Sequence, residues 1–217
     1  MAQYAAFFDL DDTVFSINSG KLMARYAAQN GLLKKKHIVQ TYLLGLGFIL
    51  NILSEKFVME RIAGFLKGLD ESKIIRFSEE IFDKFIKDSI REKAVSEIER
   101  HRKSGGTTVI LSASTPYICS QVKRYLNMDD MICSELEVID GKLSGSPIAE
   151  YCYDQEKARR IRAYCLEHGF NPKEAWYYGD AVSDRPALET VGHPVCVSPG
   201  RKMARLAKKN NWEIVYW

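Results

Sequence analysis

Tyr4–Val14 reads YAAFFDLDDTV. The apolar run from Ala5 to Phe8 has the length and character of a buried strand. It ends without a spacer in Asp9-Leu10-Asp11-Asp12-Thr13. Carboxylates gathered at a strand end repel one another unless a cation stands among them. In an open α/β sheet the carboxyl ends of the strands are where ligands bind. Hard cations such as Mg2+ take oxygen ligands from carboxylates and phosphates. The stretch therefore marks a first strand and a candidate site at its end. A solvated acidic turn is the plain alternative, and the direct join of strand to acids disfavours it.

The rest of the chain sets the frame for that strand. With 217 residues there is length for one large domain or for a core with a smaller insert. A composition of 46% hydrophobic and 27% charged residues is that of an ordinary globular protein. The net charge of +3 comes from scattered lysines and arginines and gives no argument for nucleic acid. The N-terminus has no basic start and no small-residue cleavage site, so a cytoplasmic location is expected. Cys119, Cys133, Cys152, Cys165 and Cys196 form no CxxC pair and read as reduced thiols. No Walker loop, GxGxxG, HExxH or GxSxG is present, which removes several common enzyme classes.

From Ser16 to about Arg100 the apolar spacing is helical. Leu22, Tyr26 and Ala27 predict one helix, stopped at Asn30-Gly31. Lys34–Lys36 then precedes the apolar run Ile38–Leu53, which is too short and too interrupted by Gln40, two glycines and Asn51 to span a membrane. It is expected to be a buried or partner-facing helix, with its side chains forming the insert's own core. The basic triplet leaves a membrane-surface element as the second option. Helices are also predicted over Phe57–Leu69, Ser72–Ile90 and Glu92–Lys103. Thr107–Leu111 is a second strand, ending in Ser112-Ala113-Ser114-Thr115-Pro116, where Ser114 or Thr115 can cap the next helix. Ile132–Ile139, Asp140-Gly141 and Lys142–Ile148 read as a hairpin. Asp154 can cap a helix running to Glu167, with Lys157 in its first turn. Ala175–Tyr178 is a strand that again ends in acids, Gly179-Asp180 to Asp184, and Pro194–Val197 and Glu213–Trp217 are further strands. This alternation predicts a doubly wound, mainly parallel, Rossmann-like sheet.

Asp9-Leu10-Asp11-Asp12-Thr13, the strand ending in Ser112, the helix lysine Lys157, and Gly179-Asp180 with Asp184 occur in the order of four known motifs. In that respect the whole chain resembles the haloacid dehalogenase superfamily of phosphohydrolases, and within it the phosphoserine-phosphatase-like subfamily IB. The helical block between the first two motifs looks like a type-1 cap. The resemblance implies a core of residues 1–15 and 92–217 and a helical cap of residues 16–91. It implies Asp9 as a nucleophile forming an aspartyl-phosphate and Asp11 as general acid and base. Mg2+ would be the cofactor, held by Asp9, the Asp11 carbonyl and Asp180. Asp184 and Thr13 would stand behind those ligands. Ser112, Ala113 and Lys157 would bind the phosphoryl group of a small-molecule phosphomonoester.

Two positions depart from that branch. Asn18 stands where phosphoserine phosphatases carry a Glu for the substrate's ammonium group, and Asp12 stands where they carry Ser. An uncharged Asn supplies no ion pair, so phosphoserine is not the expected substrate. A small phosphorylated metabolite or a lipid precursor is. Transfer of the phosphoryl group to an alcohol, or a non-catalytic phospho-ligand binding role, are the competing readings; the intact acidic set argues against the second. Oligomeric state does not follow from the residues.

Overall fold

In the computed structural model β1 (Ala5–Phe8) lies at the centre of a six-stranded parallel sheet. The structure describes residues 4–32, 35–50 and 52–217. The strand order is β3-β2-β1-β6-β7-β8, formed by β2 (Thr107–Leu111), β3 (Asp130–Ile132), β6 (Trp176–Gly179), β7 (His193–Val197) and β8 (Glu213–Val215). A parallel sheet is covered on both faces, and β1 shows why: all four of its residues are buried. Successive side chains alternate. Phe8 and Ala6 pack with Ala94 and Ile98 of α5 (Glu92–Lys103) and Ile118 and Val122 of α6 (Pro116–Leu126). Phe7 and Ala5 pack with Ile161 and Cys165 of α7 (Gln155–His168), Leu188 of α8 (Arg185–Thr190) and Met203 of α9 (Arg201–Lys209). This is the doubly wound α/β architecture.

Between β1 and α5 the chain forms α1 (Ser19–Gln29), α2 (Lys35–Ile49), α3 (Glu55–Phe65) and α4 (Glu71–Ile81). Ala27 of α1 and Phe77 and Ile81 of α4 join the apolar cluster on the α5–α6 face of the sheet. The two connections to the sheet run side by side. Phe15 bridges Ile90, Ser16 N–H donates to the Ser89 carbonyl at 2.8 Å, and Arg91 N–H donates to the Val14 carbonyl at 3.0 Å. The Arg91 guanidinium donates to the Trp217 carbonyl at 2.6 Å and the Phe15 carbonyl at 3.3 Å, which ties this junction to residue 217.

Three expectations need correction. The run read as one strand over Ile132–Ile139 is two: β3 extends the parallel sheet, and only β4 (Leu136–Ile139) pairs with β5 (Lys142–Pro147) as a hairpin. The chain turns between them because Ser134 N–H donates to the Ser114 carbonyl and Ser134 Oγ accepts from Cys152 N–H. The helix expected over Ser72–Ile90 ends at Ile81 and continues as a wide turn, Phe82–Ile86, that buries Phe82 and Ile86. The apolar run Ile38–Leu53, expected to be buried in the insert, is open on one side. α2 packs against α1 and α3, and Val39, Leu43, Leu46 and Leu50 are 53–62% exposed. Of that stretch Asn51 lies outside the described residues, as does Lys34 of the basic triplet before it.

The hairpin packs against the helical insert. Gly68 N–H donates to the Leu143 carbonyl, Leu143 N–H to the Leu69 carbonyl, and Glu71 N–H to the Gly141 carbonyl, at 2.8–2.9 Å. Leu136 and Leu143 share an apolar cluster with Ala63 and Ile74. All five cysteines are free and buried. Among the described residues no helix is long and apolar enough to cross a membrane.

His101 on α5 is buried under β1 and β6, with Nδ1 3.0 Å from the Tyr4 hydroxyl and Nε2 2.8 Å from the Tyr178 hydroxyl. Burial, with the Arg100 guanidinium alongside, pushes its pKa down to about 4. The unfolded chain takes up this proton near pH 6.5 and the native chain does not, so stability falls as pH drops from about 6.5 towards 4. The shift corresponds to roughly 3 kcal/mol at its limit. Urea unfolding at a series of pH values is expected to show this acid slope in the native sequence and a shallower one in His101→Gln. Equal slopes would exclude His101 as its source.

Candidate active site

The register of the central strands assembles the site. Phe8 pairs with Tyr178 on β6 and with Ile110 on β2, so the acids that follow β1 and β6 emerge side by side and Ser112 lies one strand over. Asp9 N–H donates to the Tyr178 carbonyl at 3.0 Å, which fixes the Asp9 backbone to β6. After Asp9 the chain makes a wide turn, Leu10–Val14, with Asp11 extended and Asp12 at φ 56°. An Asp tolerates this left-handed conformation better than most residues. The turn buries Leu10, Thr13 and Val14 and leaves Asp11 half-buried at the rim, where its Oδ1 accepts from Ser19 N–H at 2.8 Å.

Lys157 is the cation among these acids. It sits in the first turn of α7, 3% exposed, where the helix dipole disfavours a positive charge. Its Nζ lies 3.2 Å from Asp9 Oδ1 and 2.7 Å from Asp184 Oδ1, and donates to the Tyr177 hydroxyl at 3.0 Å. Burial alone would lower the Lys157 pKa; the carboxylates of Asp184 and Asp9 more than reverse this, so the ammonium stays charged.

Asp184 has both carboxylate oxygens in use. Oδ1 accepts from Lys157 and, at 2.6 Å, from the Tyr177 hydroxyl; Oδ2 accepts from the N–H groups of Asp180 and Ala181 at 3.2 and 3.0 Å. It therefore holds the loop that presents Asp180. Gly179 is required by the same packing, because a Cβ there would lie 2.7 Å from Asp184 Oδ2 and 2.8 Å from Tyr177 Cε1. Thr13 Oγ1 donates to Asp180 Oδ1 at 3.2 Å, tying the two acidic strand ends together.

The carboxylates exceed the cation that faces them. Burial, then the charge of Asp184 against it, raises Asp9 to about 7 despite Lys157. Burial, with Asp184 and Asp9, raises Asp180 to about 7 as well. Burial also raises Asp11, against the hydrogen bonds from Ser19. One oxygen each of Asp9, Asp180 and Asp184 lie within 4.8 Å of one another. Half-neutralised carboxylate oxygens that converge at a strand edge suit a hard divalent cation. With Asp184 already saturated by hydrogen bonds, Asp9 and Asp180 are the side chains free to ligate.

Ser112 and Ala113, expected from the resemblance to bind phosphoryl oxygens, lie where the second strand ends. Ser112 is 2% exposed, its N–H donates to the Ile132 carbonyl, and its Oγ accepts from Ser114 N–H at 3.3 Å. Ala113 follows it, half-buried, at the mouth of α6. Thr115 holds the N-cap position of α6, as expected, but no side chain caps it. Pro116 brings no N–H to the first turn, and the Ile118 and Cys119 N–H groups both donate to the Thr115 carbonyl at 3.1 Å. Asp154, likewise at the N-cap of α7, makes no side-chain cap.

Two neighbours carried no sequence signal. Tyr177 lies inside a strand pattern where any large apolar residue would serve, and Ser19 lies in a helix start. Ser19 is 1% exposed, with its Oγ 3.3 Å from Ser114 Oγ, so it links the insert to the Ser112 loop. Asn18 uses its Oδ1 to cap α1, accepting from Lys21 N–H at 2.9 Å.

Comparison with known proteins agrees with this arrangement. The haloacid dehalogenase-like hydrolase family pattern matches residues 6–189. The chain is 28% identical over 222 residues to a phosphoserine phosphatase of Mycobacterium tuberculosis strain H37Rv, covering 97% of this chain and 70% of that protein. It is 24% identical over 221 residues to a histidinol-phosphatase of Neisseria meningitidis serogroup C, covering 97% of both. A crystal structure of a protein of unknown function from Bordetella pertussis Tohama I superposes with a TM-score of 0.90 at 20% identity, over 99% of both chains. With a family match that spans the central strands, the helical insert and both acidic strand ends, this chain belongs to the haloacid dehalogenase-like hydrolases.

Proposed function

We propose that this hydrolase, whose relatives include a phosphoserine phosphatase and a histidinol-phosphatase, is a Mg2+-dependent phosphomonoesterase that works through an aspartyl-phosphate on Asp9. The observation that carries the proposal is the buried Lys157 held 3.2 Å from Asp9, beside a second acidic strand end. Asp9 attacks phosphorus in line with the ester oxygen, and the P–O bond to the substrate breaks. Asp11, whose raised pKa suits a proton donor, gives its proton to the leaving alkoxide. It then takes a proton from the water that attacks the phosphorus of the aspartyl-phosphate, which restores Asp9 and releases phosphate. Lys157, Ser112 and the backbone at Ala113 hold the phosphoryl oxygens. A Mg2+ ion ligated by Asp9, Asp180 and the Asp11 carbonyl would neutralise the repulsion between carboxylate and phosphate. Asp184 and Thr13 keep Asp180 in position.

Residues 16–91 act in this scheme as a cap over a core of residues 1–15 and 92–217. The paired crossings at Phe15–Ser16 and Ser89–Arg91 provide the pivot. The hairpin of the core is hydrogen-bonded to the Gly68–Glu71 loop of the cap and links the two. The substrate is a small phosphorylated metabolite or a lipid precursor. Phosphoserine is disfavoured because Asn18 is uncharged and committed to capping α1.

The test is phosphate release from a panel containing phosphoserine, histidinol phosphate, sugar phosphates, nucleotides and lysophospholipid phosphates, with Mg2+ and with chelator. Release that requires Mg2+ is expected, with phosphoserine among the poor substrates. No release from any member by folded protein would overturn the proposal.

Tyr177→Phe removes the hydroxyl shared by Lys157 and Asp184 and nothing else. The loss of its two buried, charge-assisted bonds is expected to cost about 2–3 kcal/mol of stability. A loosened Lys157 is expected to lower kcat about tenfold with little change in KM. Steady-state kinetics alongside thermal unfolding check both, and an unchanged kcat would remove Tyr177 from the positioning of Lys157.

A further inference from the structure

The exposed side of α2 has no place in the chemistry at Asp9. Val39, Leu43, Leu46 and Leu50 recur at spacings of four and three, so they form one stripe along the helix. All four are more than half exposed, and Ile52 beyond the helix is 73% exposed. Exposed apolar patches of this kind mark sites of association.

Charge says what that association is with. From Thr13 to Ser54 the chain carries Lys21, Arg25, Lys34, Lys35 and Lys36 and no Asp or Glu. Lys36 is exposed three residues before Val39, at the N-terminal end of the stripe, and Lys21 and Arg25 are exposed on α1, which packs against α2. The molecule's acids are elsewhere, with the nearest after α2 at Glu55.

We propose that α2 is a docking helix for an anionic membrane surface, with its apolar stripe in the headgroup boundary and the flanking lysines on the lipid phosphates. An interfacial helix gains from apolar burial and from each cation near anionic lipid together, which is the combination present here. A second copy of the chain fits less well, because it would set the same excess of cations against itself. The segment lies on the surface without crossing, since no described helix is long and apolar enough to span. The proposal does not depend on the roles assigned to Asp9 or Asp11.

The experiment is co-sedimentation of the full chain with vesicles of phosphatidylcholine alone and of phosphatidylcholine containing phosphatidylglycerol, at low and high salt. Binding to the anionic vesicles, weakened by salt and absent from the neutral ones, is expected. Leu43→Gln with Leu46→Gln, and separately Lys34→Gln with Lys35→Gln and Lys36→Gln, should each lower it by about tenfold. Circular dichroism and hydrolysis of a water-soluble phosphomonoester verify that each variant is folded. The lysine variant leaves the apolar side intact and serves if the leucine variant does not fold. No binding by the native chain, or binding undiminished in both variants, would overturn the proposal. So would a dimer that the leucine variant disperses without any vesicle binding, because α2 would then be an interface between copies.

Discussion

Asp9→Asn is expected to lower kcat by about 10⁴-fold or more and, at the same time, to make the metal-free protein more stable. The first effect follows from the proposed scheme, in which the carboxylate oxygen is the attacking atom and loss of a nucleophile leaves only what binding and electrostatics supply. The second follows from the packing. Asp9 is 8% exposed and faces Asp184, and burial raises its pKa to about 7. A carboxylate with a native pKa above its unfolded value is protonated in the native chain and ionised in the unfolded one between about pH 4 and pH 7. Stability from this group therefore falls as pH rises through that window, and above it the native state carries the full penalty. An Asn at this position carries none. The expected gain at pH 8 in chelator is about 1–3 kcal/mol, or several degrees in Tm. Mg2+ should stabilise the native sequence more than the variant, because only the native chain offers the Asp9 oxygens. Measured turnover that survives in Asp9→Asn would exclude the covalent scheme. A variant less stable than the native chain in chelator would exclude the electrostatic account of the site.

Lys157→Met is expected to do the opposite to stability while also removing activity. Lys157 and Asp184 are 3% and 0% exposed, and their charges balance within the core. Taking away the ammonium leaves Asp184 and Asp9 as buried carboxylates with no cation, a change that costs about 3–5 kcal/mol. The phosphoryl oxygens lose their buried donor in the same step, and kcat should fall by about 10³-fold. The charge explanation is separable from cavity formation by adding Asp184→Asn to Lys157→Met. The double variant should recover part of the lost stability in urea unfolding and none of the lost activity. If the two changes were simply additive, the pair would not be the coupled unit that the 2.7 Å contact indicates.

These two expectations rest on one contrast within the same site. Asp9 is a buried charge in excess, which the proposed scheme uses to meet a substrate and a cation. Lys157 is a buried charge in deficit, without which the acids could not be buried at all. A catalytic residue whose removal stabilises the protein and a neighbour whose removal destabilises it are what a site assembled against electrostatic preference requires.

Much of this was legible in the chain itself because the relevant signals are local. A short apolar run bounded by acids specifies β1, and Ser104-Gly105-Gly106 followed by a β-branched run specifies the end of α5 and the start of β2. Sequence alternation specified the parallel sheet, and the motif order picked out the acidic strand ends that the sheet brings side by side. β3 was not legible, since it has three partly buried residues including Asp130 and pairs with one neighbour only, so no periodicity marks it. The exposure of α2 was not legible either. An apolar run reads the same whether its partners are the rest of the chain or something outside it.

What the sequence by itself determined is the inventory: which carboxylates, which hydroxyl and which lysine stand at strand ends and helix starts. What only the tertiary structure decided is their relation. Parallel register set Asp9 beside Asp180, Tyr177 reached across to join Lys157 to Asp184, and Asn18 turned to cap a helix. The physical reason is range. Strand and helix preferences act over a few neighbouring residues, whereas the pairing of charges in a dry interior depends on groups up to 175 positions apart, here Asp9 and Asp184, that meet only once the sheet has closed around them.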